Sequence, residues 1–325
     1  MPPVIKIEEF LNIFIKLTDI YIVIMQIKVL ILGSSGLLGN RIYSHLIKKK
    51  YYKIYHNGLN KKKFDLTNYI NLEKLISLAR FDFIINCSAL TNIDICQKFK
   101  KKSFNINVKL IENIFSIKKK NNFYFKLIHF STDQVYNSKK KIKLSEKKSS
   151  SVNIYCKHKI LSEKICIKNK GIAFRTNFFG FPISKKRVGF LCWVLDNFKS
   201  KKNFSLVKDT FFNPLSITSL CKIVEKVMIK LNNNKIFGIY NLGSNSGILK
   251  YKLAINFAKK LNFYNNNYKI VESKDIYSTK RSKIMFMDTT KFKKTFKIYL
   301  NDIQKEIKTE LNFLKNDKNW KNYNQ

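Results

Sequence analysis

The sequence predicts an α/β chain: a doubly wound parallel sheet followed by a smaller C-terminal substrate-binding lobe. Three observations predict it. Short β-branched runs alternate with longer helical segments from Met25 to Arg175, and such alternation builds βαβ units whose right-handed crossovers give a parallel sheet. The first run ends in a glycine turn that opens a helix. After Gly180 the alternation loosens, which sets the second lobe apart.

Residues 1–24 read as an appendage. Phe10 to Ile24 is apolar, but Lys16 and Asp19 interrupt it and no small-residue cleavage site follows, so neither a membrane span nor a signal peptide is expected. Met25 immediately precedes the first strand and is a candidate translation start. Strands are predicted at Ile27–Leu32, Lys53–His56, Phe83–Cys87, Phe125–Ser131 and Gly171–Arg175, with helices near Leu38–Lys49, Tyr69–Ala79, Phe99–Lys119 and Asn153–Lys168. Beyond Gly180, helices are predicted over Val188–Phe198, Leu220–Leu231 and Tyr251–Leu261, and a surface helix over Ile303–Leu314. Gly238–Leu242 reads as a strand ending in the Gly243–Gly247 turn and is assigned to the second lobe, not to the sheet. Trp193 is expected in the core, and Phe211–Pro214 as a loop packed on that lobe.

The formal net charge is +42, from 63 Lys+Arg against 21 Asp+Glu, a balance that alone points to nucleic acid or an anionic membrane. Its distribution argues otherwise. Arg41, Arg80, Arg175, Arg187 and Arg281 are the only arginines, whereas readers of bases and phosphates favour the bidentate guanidinium fork. Lysine is scattered in short runs such as Lys48–Lys50, Lys61–Lys63, Lys118–Lys120 and Lys139–Lys141, alongside abundant Asn, Ile, Phe and Tyr, the pattern of A+T-rich coding DNA. No nucleic-acid or membrane partner is therefore expected, although the field should draw anionic substrates toward a cleft. Cys87, Cys96, Cys156, Cys166, Cys192 and Cys221 show no C-x-x-C spacing and no pairing with the four histidines. No metal site is expected, and free thiols suit a reducing cytoplasm.

Ile27–Leu32 runs into Gly33-Ser34-Ser35-Gly36-Leu37-Leu38-Gly39 and then a helix. A strand, a glycine turn and a helix N-terminus make an anion site, because backbone N–H groups and the helix dipole converge there. Gly33 would permit the tight turn, Gly36 the approach of a phosphate, and Gly39 close packing of helix on sheet. An ordinary βα turn is the plain alternative. Three of only 10 glycines at this spacing favour a dinucleotide, and with it a Rossmann-type domain over residues 25–180 and a partly interleaved substrate lobe over 181–325. Lys53–His56 ends in His56-Asn57-Gly58 with no carboxylate, where an acidic residue would grip a ribose 2′-hydroxyl. That absence, with Arg41 and Lys61–Lys63 nearby, leans the cofactor from NADH toward NADPH.

The chemistry is expected at Tyr155-Cys156-Lys157-His158-Lys159, after a strand ending in Ser131-Thr132-Asp133. At i,i+4 the phenol and the ammonium share one helical face, and a nearby cation favours the ionised phenol. Tyr155 can then give a proton to a carbonyl oxygen as a hydride reaches its carbon, Lys159 can hold a nicotinamide ribose, and Thr132 can orient the same oxygen. Alone, Tyr-x-x-x-Lys in so Lys-rich a chain is matched by an amphipathic helix with a surface lysine. Its place after the glycine turn and the Ser-Thr-Asp strand end makes it specific. His129 is expected as a buried, hydrogen-bonded side chain, and His158 facing away from the cleft.

In chain order these motifs resemble the extended branch of the short-chain dehydrogenase/reductase family, whose members act on nucleotide sugars. Asp65-Leu66-Thr67 is similar to the segment near the adenine. Asn86-Cys87-Ser88-Ala89, with Leu90 and Thr91, is similar to the turn against the cofactor, and Asn107 stands where the family has a structural or relay Asn. The resemblance thus implies cofactor contacts at Gly33, Gly36, Leu37, Leu38, Gly39, Asp65, Leu66, Ala89, Leu90 and Thr91, with Tyr155 and Lys159. Thr91-Asn92-Ile93-Asp94, Ser131–Asp133, Arg175-Thr176-Asn177 and Asp288-Thr289-Thr290 resemble the dTDP-4-dehydrorhamnose reductase group within that family. This implies substrate contacts from Thr132, Asp133, Asn177, Phe178 and Arg281, the last on the nucleotide diphosphate.

Four positions depart from that pattern. Asn177-Phe178 replaces Ser-Trp, Gln134 replaces an aromatic residue after Asp133, and Ser282 replaces the Pro after Arg281. Gln134 also stands where the dehydratases of the family carry a catalytic Glu, and an amide cannot serve as a base. The expected function is NAD(P)H-dependent reduction of a nucleotide-activated 4-keto-6-deoxysugar, dTDP-4-dehydrorhamnose foremost, by a monomer or homodimer. Another epimerase or reductase of the family is the alternative, as is a non-catalytic subunit that keeps the cofactor fold.

Overall fold

The computed structural model describes residues 26–58, 64–183, 189–232 and 234–316. The expectations for residues 1–24, Met25 and Lys61–Lys63 fall outside them. The first half runs β1 (Ile27–Leu32), α1 (Leu37–Leu46), β2 (Tyr52–His56), α2 (Tyr69–Ile76), β3 (Phe83–Asn86), α3 (Ile93–Lys98), α4 (Lys100–Phe104), a π turn (Asn105–Lys109), α5 (Leu110–Lys120), β4 (Lys126–Phe130), α6 (Ile154–Lys168) and β5 (Ile172–Thr176). The second half adds α7 (Phe190–Lys199), α8 (Ile217–Asn232), β6 (Gly238–Leu242), α9 (Lys250–Lys260), α10 (Thr290–Phe296) and α11 (Ile303–Asn316), with short strand pairs between them.

The main sheet has the order β2-β1-β3-β4-β5-β6, and every neighbour is parallel. A strand covered on both faces reads as a continuous apolar run, and IKVLIL and FIIN do so. Val29, Ile31, Phe83 and Ile85 pack with Ile42 of α1 and Leu220 and Val224 of α8. Leu30, Leu32 and Ile84 pack on the other face with Leu72 of α2 and Ile111 and Ile114 of α5. Each such aliphatic side chain contributes roughly 1.5–3 kcal/mol on burial.

The assignment of Gly238–Leu242 to the second lobe is overturned. It extends the main sheet in register with β5, from Gly238 beside Ile172 to Leu242 beside Thr176. The cause is its own alternation: Tyr240 and Leu242 join the cluster around Phe174, Phe292 and Phe296, while Ile239 packs on the opposite face.

A separate apolar core, with Val194 and Phe198 of α7, Leu253 and Phe257 of α9, and Ile307 and Leu311 of α11, forms the second lobe. Within it Phe211–Phe212 is a strand and not the expected loop, pairing with Ile284–Met285 and Ile248–Leu249. Trp193 is 41% exposed, outside the core where it was expected, because it packs edge-on to Phe204 along the wall of an open cavity.

Nor is α11 a surface helix, since Glu306 and Glu310 are fully buried. Glu306 Oε2 accepts from the backbone and hydroxyl of Ser216 at 2.8 and 2.7 Å. Glu310 accepts from Thr218 and from the Phe181 amide, and pairs with Arg41 at 3.3 Å. Arg41 also donates to the Phe181 carbonyl at 2.7 Å and stacks 3.5 Å over the Phe313 ring. A guanidinium so enclosed cannot read a ribose phosphate, which removes Arg41 from the case for NADPH.

Candidate active site

Strand order reverses between β1 and β3, and the crevice beyond the carboxyl ends at such a point is where open α/β sheets bind ligands. The glycine turn lies there. Gly33 has φ +77°, and a Cβ on it would stand 2.6 Å from the Ser88 nitrogen. A Cβ on Gly39 would meet the Gly33 carbonyl carbon at 2.8 Å and Ser34 Cα at 2.9 Å, so the helix packs on the turn only without one. Ser35 and Gly36 are exposed, Leu37 is half-buried, Leu38 is buried, and no side chain caps the N-terminus of α1. Uncapped amides beside a turn that excludes side chains suit a phosphate. Gly39→Ala is expected to weaken NADPH binding about tenfold or more, read by fluorescence titration, and to cost about 1–3 kcal/mol of stability through overpacking. Unchanged affinity would count against the turn as a phosphate cradle.

Around the turn, Asn57 Oδ1 accepts from the Gly33 amide at 2.8 Å and the Ser34 amide at 3.3 Å. The residue that replaces an acidic ribose reader therefore holds the loop. Asp65 Oδ1 accepts from the Thr67 amide and hydroxyl at 2.8 and 2.7 Å, exposed on a hollow of about 660 Å³ walled by Lys98, Lys100, Lys101 and Lys102. Leu66 beside it is buried. Ala89 and Leu90 are half-buried and Thr91 is exposed. Leu90 is clamped through its backbone by Asn107, which accepts from its amide and donates to its carbonyl at 3.0 Å each. Asn107 lies in the π turn, a local widening often found at functional sites.

Leu90 connects this crevice to Tyr155, whose buried ring packs with Leu90, Ile93 and Cys96. Asn153 caps α6, its Oδ1 accepting from the Cys156 amide at 2.9 Å, and so Tyr155 falls in the first turn, above the end of β4. Burial raises the phenol above its ordinary value, while the Thr132 hydroxyl bonded to it pulls the other way. Lys159 shares the buried face, as the i,i+4 spacing predicts. Its amine is engaged elsewhere than the phenol, donating to the Phe130 carbonyl at 2.6 Å and lying 3.2 Å from His129 Nε2. Burial depresses the amine to about 8.

Below Thr132, Glu163 of α6 accepts from Ser131 Oγ at 2.5 Å and from Arg175 Nε and Nη2 at 3.0 and 2.7 Å. Arg175 Nη1 reaches the Tyr136 hydroxyl at 2.8 Å and the Glu146 and Lys148 carbonyls at 3.1 and 2.9 Å. This buried pair fixes the strand end, the following loop and α6 together.

On the substrate side, Asn177 Nδ2 donates to Asp133 Oδ2 at 2.9 Å. Asp133 is fully buried, and desolvation lifts its carboxyl to about 7 against the opposing pulls of Asn177, Lys250 and Thr132. Phe178 is half-buried and packs against the sheet-side core. Arg281 pairs with Asp94 at 2.5 Å and lies 4.5 Å over the Tyr277 ring. Ser282 donates to the Gln134 carbonyl at 2.7 Å, and the Gln134 amide donates to Met285 Sδ at 2.9 Å. Tyr277 and Lys250 open onto a cavity of about 670 Å³ lined also by Phe190, Trp193 and Leu206. Among the described residues no cluster of His, Cys, Asp and Glu could hold a metal ion, and no helix is long and apolar enough to cross a membrane.

The family model described as the RmlD substrate binding domain matches residues 27–316. The chain belongs to this family. RmlD-like proteins are sugar-nucleotide reductases within the NAD(P)-dependent oxidoreductases. Solved structures share the fold. A dTDP-4-dehydrorhamnose reductase from Bacillus anthracis, in complex with NADP, is 20% identical with a TM-score of 0.79, over 89% of this chain and 100% of that one. Its counterpart from Clostridium acetobutylicum gives 20% and 0.78 over the same shares. A UDP-glucose 4-epimerase from Thermotoga maritima, with UDP-glucose, gives 14% and 0.75 over 89% and 99%. A search of curated proteins by sequence finds no match.

Within this RmlD-family site, the partners of Asn57, Asp94, Lys250 and His129 were not legible in the sequence. Each acts on a partner far away along the chain. The one local signal was the missing carboxylate after β2, which marks the place of Asn57 without showing what it grips.

Proposed function

We propose that this chain reduces the C4 ketone of a nucleotide-activated 4-keto-6-deoxysugar with NAD(P)H. The foremost candidate is dTDP-4-dehydrorhamnose, giving dTDP-rhamnose for polysaccharide biosynthesis in the cytoplasm. The observation that carries the reading is one continuous path: Gly33 against Ser88, Leu90 against Tyr155, and Thr132 on the phenol. It supports a dinucleotide cradle and a buried proton donor serving one crevice. The exposed, uncapped amides at Ser35 and Gly36 where α1 begins suit the cofactor's pyrophosphate, and Lys159 would hold its nicotinamide ribose. A bound nicotinamide supplies the hydride.

Tyr155, kept protonated by its burial, gives its proton to the ketone oxygen, and Thr132 orients that oxygen. Asn177 contacts the sugar hydroxyls, oriented by the buried Asp133 behind it. Phe178 lies against the sugar. Arg281, already held by Asp94, faces the diphosphate, and the cavity beside Tyr277 takes the nucleoside. Gln134 supplies no base, which sets dehydration aside.

The lean toward NADPH now rests on the absence of an acidic residue after β2. The test is to offer the purified chain a panel of 4-keto nucleotide sugars and follow NADPH absorbance. Rapid oxidation with the dTDP-linked 4-keto-6-deoxysugar is expected, with a higher kcat/KM for NADPH than for NADH. Failure to oxidise either cofactor with any member of the panel would overturn the reading.

A further inference from the structure

Behind Lys159 lies a buried polar network that the proposed reaction leaves unused. Asn86 and His129 are each 1% exposed, and Ser162 is fully buried. They come from β3, β4 and α6, and so from three separate elements behind the proposed site. Asn86 Oδ1 accepts from the Ser88 amide at 3.0 Å, which fixes the orientation of the side-chain amide. Its Nδ2 consequently faces His129 Nδ1, at 3.2 Å. A ring nitrogen that meets an N–H donor must accept, so the neutral imidazole carries its proton on Nε2.

That Nε2 is 3.1 Å from Ser162 Oγ and 3.2 Å from Lys159 Nζ. Ser162 has already spent its own hydrogen on the Lys159 carbonyl, at 2.8 Å, leaving its lone pairs to accept. The Lys159 amine donates to the Phe130 carbonyl. A neutral amine has a lone pair to offer the Nε2–H; an ammonium has none and meets another N–H head-on. The other titratable groups facing Lys159 are Cys87 from the end of β3, and Glu163 and Cys166 along α6.

We propose that Asn86 holds His129 in its Nε2–H tautomer, and that this N–H positions the Lys159 amine and weakens its hold on a proton. His129 is then a positioning residue that acts on the cofactor through Lys159. Its effect on function rests on the reading of Lys159 given above; the tautomer does not. Burial keeps the ring well below the usual imidazole range, so it stays neutral while the lysine titrates.

The experiment is nitrogen NMR on protein carrying ¹⁵N-histidine. The signals of His45, His56 and His158 are assigned by single His→Gln variants, which leaves His129. The expected result is a ring with Nε2 protonated and Nδ1 bare, unchanged from about pH 5 to about pH 8. A proton on Nδ1, or titration like a free imidazole, overturns the proposal. The pH dependence of NADPH affinity supplies a second readout. His129→Leu removes the N–H that faces the amine, so the midpoint for loss of binding should rise by about one pH unit. An unmoved midpoint in folded variant overturns the positioning role. Failure of NADPH to bind the wild-type protein at any pH would instead count against the cofactor reading and leave the tautomer standing.

Discussion

Tyr155→Phe is expected to lower kcat by about 10²–10⁴-fold, the usual worth of a positioned proton donor, with little change in NADPH affinity. The ring would keep its packing on Leu90, Ile93 and Cys96, so only the hydroxyl is lost. The direction of its shift matters. Burial holds the phenol protonated, which is the form a reductase needs, because the ketone oxygen must receive a proton as the carbon receives a hydride. Steady-state rates with the nucleotide sugar, beside fluorescence titration of NADPH, separate the two effects. Near-normal turnover would remove Tyr155 from the chemistry, and a large fall in cofactor affinity would make its role structural.

Glu163→Gln is expected to cost about 3–5 kcal/mol of stability, the range for breaking a buried ion pair on one side. Arg175 and Glu163 have side-chain exposures of 3% and 1%, so the guanidinium left behind could not reach water. It would keep only neutral partners, the amide oxygen of the substituted side chain, the Tyr136 hydroxyl and two backbone carbonyls. Urea unfolding should show a lower midpoint at unchanged slope. Replacing both partners instead, as Glu163→Leu with Arg175→Met, should cost less than Glu163→Gln alone, since two apolar groups need no partner. A cost below about 1 kcal/mol, typical of exposed pairs, would show that the pair is hydrated in solution.

What could be read from the sequence was local. Gly33, Gly36 and Gly39 lie within one turn of chain, and Tyr155 and Lys159 within one turn of helix, so their spacing alone carries geometry. The strands of the first half were legible because burial on both faces demands unbroken apolar runs. Gly238–Leu242 has the same character in five residues, but nothing in so short a run tells which sheet it joins. Trp193 illustrates a second limit: helical periodicity shows that a face exists, not whether a neighbour covers it. Arg41 illustrates a third, because a cation near a phosphate loop looks available until its carboxylate is found 269 positions later.

That last pairing bears on how the protein is made. Through Glu310, the last described helix supplies the negative charge for an arginine on the first described one, and through Glu306 it satisfies Ser216. A ribosome therefore releases every strand of the main sheet before it delivers this counter-charge. Chains interrupted ahead of Ile303 would carry a desolvated cation with no anion, along with unmet amides beside the sheet. Such fragments should be held open, where proteases find them.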